Sequence, residues 1–350
     1  MKYRTFAVTV PGLKYESKGW PCQDFSRVQN RDNFQFATVA DGHGGVNYFR
    51  SQHGAQLAVE AVLNQIRLCS GDLSGDGDVR FGETGIQKFK FDIWQDWRNL
   101  VRQHWYQCRS EQAWLGEGEV RYPAVSEAYK AYYENPVTAK DCLYTAYGTT
   151  LSFALAIPFQ LLLTQIGDGT CVVFCRDGSF RVPIPGEESN FLNVVVSLCE
   201  QDAYRRMRHV VLEWEEGSPS EPVAVFLSTD GLDDCYPVYQ NEDYLFHLYT
   251  VILENILDSG FEATEAELAG ELLPDFAARG STDDISLSYM ICEDVSVLRE
   301  AYDRLTERNR KAEPVSAPVE EPAQAEHPAP EAEPRPLPEP GLEEDKPWEN

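Results

Sequence analysis

Four apolar runs in this chain are bounded by an aspartate step: Thr38-Val39-Ala40-Asp41-Gly42-His43-Gly44-Gly45, Gln165-Ile166-Gly167-Asp168-Gly169, Phe226-Leu227-Ser228-Thr229-Asp230-Gly231-Leu232-Asp233-Asp234 and Ser281-Thr282-Asp283-Asp284-Ile285-Ser286. A fifth candidate, Cys22-Gln23-Asp24-Phe25, stands beside an expected strand at Phe25–Val28. One such step is ordinary turn chemistry, because glycine accepts positive φ and aspartate bonds its own backbone. Several together constrain the fold. A chain that buries these runs leaves its carboxylates at strand ends, and strands from two sheets can bring such ends to one rim. There the aspartates would offer hard oxygen ligands without deforming any strand, a donor set that suits Mg²⁺ and Mn²⁺ rather than zinc or copper. Glycine after aspartate lets the backbone approach closely and offers its carbonyl as a further ligand.

Periodicity predicts strands at Thr5–Val10, Phe34–Ala40, Thr149–Ile157, Leu161–Gln165, Thr170–Arg176, Val210–Trp214, Val223–Ser228 and Ile285–Cys292. Helical spacing appears at Val46–Cys69, Ile86–Arg109, Val125–Tyr133, Tyr244–Leu257, Glu262–Ala278 and Val295–Arg310. Several strands follow one another across short turns such as Arg176-Asp177-Gly178-Ser179, which is hairpin chemistry. Strands clustered together and helices clustered apart indicate an α+β fold with antiparallel sheets. The stretch 70–140, rich in tryptophan and tyrosine, interrupts the pattern and reads as a helical insertion.

Hydrophobic residues make up 43% of the chain and aromatic residues 12%, enough for a sizeable core. From Ala312 to Asn350 the composition changes, with ten of the 21 prolines and eleven acidic residues against two basic ones. That stretch cannot bury enough apolar surface to offset its ordering entropy, so 312–350 reads as a disordered acidic tail behind a folded unit at 1–311. Across all 350 residues, 57 acidic side chains against 30 basic give a formal net charge of −27. Such a balance disfavours nucleic acid and anionic membrane surfaces as partners. No apolar run approaches the ~20 residues of a membrane span. The N-terminus lacks the charged-then-apolar order of a signal peptide. Nine cysteines, an odd number without a Cys-x-x-Cys, read as reduced thiols of a cytoplasmic protein rather than a disulfide framework or a zinc site.

In chain order the segments "CQDF", "ADGHGG", "YGTTLSFAL", "IGDGT", "STDGLDD" and "STDDISLSY" resemble the metal-dependent protein serine/threonine phosphatases of type 2C, in their bacterial form. The resemblance covers about Thr5 to Cys292. It implies two stacked antiparallel β-sheets flanked by helix pairs, a four-layer α-β-β-α sandwich, with the insertion lying before "YGTT". It also implies roles for individual residues. Asp41 matches the carboxylate that bridges two metal ions, and Gly42 the residue lending its carbonyl to one of them. Asp230 and Asp283 match ligands of the first metal, and Asp24 serves the same binuclear centre. Asp168 and Asp234 match residues linked to an additional, weaker metal site in some members, and His43 matches the proposed general acid. Three positions depart from the family's usual pattern. Gln23 stands where glutamate is usual, Lys18-Gly19 where a phosphate-gripping arginine is expected, and Asp284 where asparagine is common.

The implied activity is hydrolysis of phosphoserine and phosphothreonine in a phosphorylated protein, opposing a serine/threonine kinase, with Mg²⁺ or Mn²⁺ as cofactors. Two such ions about 4 Å apart can hold one water between them, lower its pKa and aim it at phosphorus. His43 would give a proton to the departing oxygen. Two other readings stay open. One is a catalytically weak member of the fold that binds or regulates a partner, which the missing arginine and Gln23 suggest. The other is a small-molecule phosphomonoesterase, which differs only in pocket shape. Within the insertion, Asp72–Glu83 fits the twelve-position Ca²⁺ loop, although an acidic, glycine-rich surface loop is the reading we favour. Trp94, Trp97, Trp105 and Trp114 could form a recognition surface, but Trp94 and Trp97 share one helical face, the pattern of core packing.

Overall fold

The computed structural model describes residues 1–73, 80–110, 120–135, 137–186, 195–237 and 241–312. In chain order its first elements are β1 (Tyr3–Val10), α1 (Leu13–Glu16), β2 (Phe25–Asn30), β3 (Gln35–Ala40), α2 (Ser51–Leu73), α3 (Glu83–Ser110), α4 (Glu127–Glu134) and α5 (Ala139–Cys142). Then follow β4 (Leu151–Ile157), β5 (Gln160–Ile166), β6 (Thr170–Cys175), β7 (Phe180–Arg181), β8 (Arg208–Glu213), β9 (Pro222–Ser228) and α6 (Asp230–Asp233). The last are α7 (Asn241–Ser259), α8 (Phe261–Glu267), α9 (Leu273–Arg279), β10 (Ile285–Cys292) and α10 (Val295–Ala312).

The strands form two five-stranded sheets, β1-β10-β9-β6-β7 and β2-β3-β4-β5-β8. Every neighbouring pair is antiparallel. Strands β4, β5, β9 and β10 are buried along their whole length, because both faces of each sheet are covered. Alternate residues divide between the two covers. On the second sheet Ala37, Val39, Ala154 and Leu163 face the other sheet, which answers with Val173, Val225, Leu227 and Met290. Their neighbours Phe36, Phe153 and Leu155 pack outward with Val59, Val62 and Trp97 of α2 and α3. The outer face of the first sheet presents Phe226, Leu287 and Tyr289 to Tyr249 and Ile252 of α7. The α+β sandwich with helices on both outer faces is therefore the observed architecture.

Three local details differ from the periodicity. The expected helix Val46–Cys69 is broken: Val46–Tyr48 is a 3₁₀ turn and α2 starts at Ser51. Between them the Arg50 N–H donates to the Ala146 carbonyl instead of continuing a helical ladder. The expected helix Glu262–Ala278 contains a π-helical turn at Leu268–Leu272, just ahead of Pro274, whose ring supplies no N–H to the ladder. The two-residue strand β7 is too short for any period to show.

Trp94, Trp97 and Trp105 are buried in the layer beneath α3, so core packing, not a recognition surface, is what these three do; Trp114 lies outside the described residues. Residues 74–79 of the candidate Ca²⁺ loop and 313–350 of the expected tail also lie outside them. Met1–Arg310 is one compact unit; of the second, Lys311–Asn350, only the end of α10 is described. No helix among the described residues is long and apolar enough to cross a membrane. No disulfide joins the nine cysteines among the described residues.

Candidate metal centre

The aspartates gather where strand ends of the two sheets meet. Asp24 directly precedes β2, Asp41 follows β3, and Asp168 stands in the turn from β5 to β6. From the first sheet, Asp230 opens α6 just beyond β9, and Asp283 lies just ahead of β10. The Thr149-Thr150 pair holds Asp41 in place. The Asp41 carbonyl accepts from Thr150 N–H and from Thr149 Oγ1, each at 2.8 Å, and Asp41 N–H donates to Thr150 Oγ1 at 3.0 Å. Thr150 also shapes the Asp168 turn, where Gly167 at φ +103° would drive a Cβ to 2.5 Å from Thr150. At Gly42 a Cβ would lie 2.5 Å from the Gln23 carbonyl oxygen and 2.8 Å from the Ser51 backbone, so only glycine fits.

Carboxylate oxygens of Asp41, Asp168 and Asp230 lie within 4.8 Å of one another. Burial pushes the Asp41 and Asp230 carboxyls well above the usual carboxylate range. The other acids push further: Asp230, then Asp24, Asp168 and Asp283 on Asp41; Asp168, then Asp24, Asp234 and Asp283 on Asp230. Mutual repulsion among hard oxygen donors is what a small divalent cation relieves, so the residues present fit Mg²⁺ or Mn²⁺. Asp24 is buried and accepts from Thr229 Oγ1 at 2.7 Å, while Thr229 Oγ1 accepts from Ser286 N–H at 2.9 Å. Burial first, then Asp284, pushes its carboxyl up to about 7.

Asp283 is not in the trio. Lys14 Nζ donates to its Oδ2 at 2.8 Å and the Asp284 N–H to its Oδ1 at 2.9 Å. Asp234 is exposed and also stands outside it. Asp168, which the resemblance links to a weaker additional site, is in the trio instead. Sequence reasoning passed over Asp233, whose carboxylate accepts from Thr170 and Ser228 and is pushed by burial up to about 7. Its signal was present in the Asp233-Asp234 doublet. It also passed over Lys14, which α1 delivers to the rim. Beside Asp168, Asp233 and Glu242 opens a cavity of about 510 Å³.

His43 is fixed through its backbone, its N–H donating to the Gly148 carbonyl at 3.1 Å. Its ring stands edge-on to Tyr48, centroids 4.8 Å apart. Burial pushes the imidazole down to about 4, so it is neutral at neutral pH. Two of the departures have structural roles. Asp284 accepts from the Gly12 and Gln23 N–H groups at 2.8 and 2.7 Å, tying the N-terminal arm to β10. Gln23 is fully buried, and its Oε1 has no hydrogen-bond partner among the described residues. Lys18 lies over the Trp20 ring at 4.7 Å.

Residues 12–272 match the family model described as Protein phosphatase 2C. The chain belongs to that family, the metal-dependent protein serine/threonine phosphatases that the ordered motifs resemble. Similar solved structures include a bacterial serine phosphatase, at 13% identity and TM-score 0.46 over 83% of this chain and 98% of that one. The Mycobacterium tuberculosis serine/threonine phosphatase PstP/Ppp is 15% identical, with TM-score 0.44 over 84% of this chain and 100% of its own. A C. elegans sex determining protein is 12% identical, with TM-score 0.48 over 87% and 68%. No curated protein sequence matches the chain.

Proposed function

We propose that this protein hydrolyses phosphoserine and phosphothreonine in proteins, with divalent cations, Mg²⁺ or Mn²⁺, held by Asp24, Asp41, Gly42, Asp230 and Asp283, and with Asp168 and Asp234 completing the acid set. The observation that carries this reading is the Asp41–Asp168–Asp230 trio within 4.8 Å, in a chain of a metal-dependent phosphatase family. When bound, such cations offset the charge of a phosphate dianion and make water a better nucleophile. The chain's own residues do the rest. Thr149 and Thr150 fix Asp41, and Thr229 fixes Asp24. His43, kept neutral by burial, gains a proton as a dianionic phosphate arrives beside it, since a nearby negative charge raises an imidazole pKa. It then gives that proton to the departing serine or threonine oxygen. We assign this reaction to residues 1–311, with 70–140 as an insertion and 312–350 as a tail. Nine cysteines with no disulfide among the described residues suit a reducing cytoplasm, and a phosphoprotein substrate implies an opposing kinase.

The test is release of phosphate from phosphothreonine peptides and from an aryl phosphate, with Mn²⁺, Mg²⁺ or EDTA, in the parent and in Asp41→Asn and Asp230→Asn. The expected result is metal-dependent turnover of both substrates, reduced at least a hundredfold by either substitution, on the order seen when a catalytic contact is removed. Turnover of the aryl phosphate alone would favour the small-molecule phosphomonoesterase. A parent inert with every metal would leave a binding module.

A further inference from the structure

The loop bearing Asp41, Gly42 and His43 has a second support, and it comes from the inserted stretch. Arg121 is fully buried. Its Nη2 donates to the Gly45 carbonyl at 2.9 Å and to the His43 carbonyl at 3.2 Å, and its Nη1 donates to Ser51 Oγ at 2.8 Å. Its guanidinium also lies 4.9 Å from the centroid of the Trp20 ring. One side chain thus joins the arm leading to Asp24, the Gly42–Gly45 loop and the first residue of α2. The opposite flank of the loop is held by β4 and the residues before it, through Gly148, Thr149 and Thr150.

Such a guanidinium is costly to bury unless its donors are used, so its placement shows what the chain holds still. Glycines at 42, 44 and 45 leave this loop free to take many backbone conformations. Two of its carbonyls, on either side of Gly44, are gripped by one planar nitrogen fork. Lysine carries all its donors on one nitrogen, so it cannot stand at both the Nη1 and Nη2 positions that Ser51 and the two carbonyls require.

We infer that Arg121 is a positioning residue of the catalytic loop, through which the inserted stretch sets where His43 and the Gly42 carbonyl stand. Its effect on turnover rests on the proposed reading of His43 as proton donor; its effect on the loop does not. Arg121 is fully buried and bonds loop carbonyls, so it acts from beneath the loop.

The experiment compares the parent with Arg121→Lys, following the imidazole NMR signals assigned with a His43→Gln control, together with kcat and KM for an aryl phosphate in Mn²⁺. The His43 signals are expected to shift or broaden while those of His53 and His104 stay in place. In the same variant kcat is expected to fall about ten- to a hundredfold with KM within about twofold, the pattern of a misplaced catalytic group. Arg121→Ala is expected to regain part of its kcat in millimolar guanidinium. Unmoved His43 signals in folded Arg121→Lys overturn the proposal, whether or not the parent turns over substrate. Moved signals in an inert parent overturn the proposed function and leave the positioning role standing. Should Arg121→Lys not fold, Ser51→Ala releases one arm of the same guanidinium and is read by the same signals. Movement there supports the role, and its absence overturns it.

Discussion

At Gly42 the backbone of three segments comes together with no room for a methyl group. An added Cβ would sit 2.5 Å from the Gln23 carbonyl oxygen and 2.8 Å from the Ser51 carbonyl group. These are main-chain atoms, so relief requires moving the arm that carries Asp24 or the start of α2. Gly42→Ala is therefore expected to lower stability by about 1–3 kcal/mol and to abolish metal-dependent turnover. Gly186→Ala, with nothing among the described residues within 4 Å of its Cβ, serves as the tolerated control in the same thermal melts. The acids invite the opposite experiment. Asp41, Asp168 and Asp230 crowd within 4.8 Å, and in metal-free protein their repulsion opposes folding. Asp168→Asn should raise the stability of the EDTA-treated protein by on the order of 1 kcal/mol while reducing turnover more than tenfold. Urea unfolding in EDTA checks this; a variant less stable than its parent would refute the repulsion argument.

Between helices α2 and α3 the decisive feature is a pair of neutral histidines. The His53 and His104 rings lie 4.5 Å apart between centroids. His104 Nδ1 bonds the Tyr147 hydroxyl at 2.7 Å, and Arg50 donates to that same hydroxyl at 3.2 Å. Burial first, then Arg50, pushes His53 down to about 4; burial, then His53 and Arg50, does the same to His104. An unfolded histidine titrates near 6.5, so between pH 6.5 and 4 the unfolded chain binds more protons than the native one. Stability from this pair is complete above about pH 6.5 and is lost as pH falls toward 4. Allowing for partial exposure, urea unfolding should show the parent losing about 1–2 kcal/mol more than His53→Gln/His104→Gln between pH 7 and 5, with His43 and the rim acids titrating alike in both. A parent and double variant whose difference does not change between pH 7 and 5 would refute the role of this pair. The same interface shows how far sequence reaches. Strands β4, β9 and β10 and helices α7 and α10 were legible because their periods belong to their own residues. The break before α2 was not, since it depends on the Arg50 N–H finding Ala146 across the molecule. Each aspartate could be placed at a strand end. Which three would crowd together, and that Lys14 would reach Asp283, depends on packing between sheets, which no local pattern encodes.

Met1–Arg310 is two sheets packed face to face, with the acids gathered at one rim where strand ends of both meet. Asp41 and Asp168 extend from the second sheet and Asp230 from the first. Other polar links cross the same seam, including Thr229 to Asp24 at 2.7 Å and Thr9 to Ser26 at 2.8 Å. A cation shared by acids from both sheets can bind only when the sandwich is assembled. Binding then adds RT ln(1 + [L]/Kd) to stability, about 2.7 kcal/mol at a hundred times Kd. Mn²⁺ should thus raise the melting temperature by several degrees, reversibly with EDTA. A chain with 57 acidic residues against 30 basic also collects cations diffusely, which by itself could raise the melting temperature a little. Asp41→Asn and Asp230→Asn separate the two effects, because each removes only one of the 57 charges. If the seam binds the cation, either variant loses most of the shift, although the two residues lie on different sheets. If the diffuse atmosphere dominates, both variants keep the parent's shift, and the acids at the rim are not a binding site.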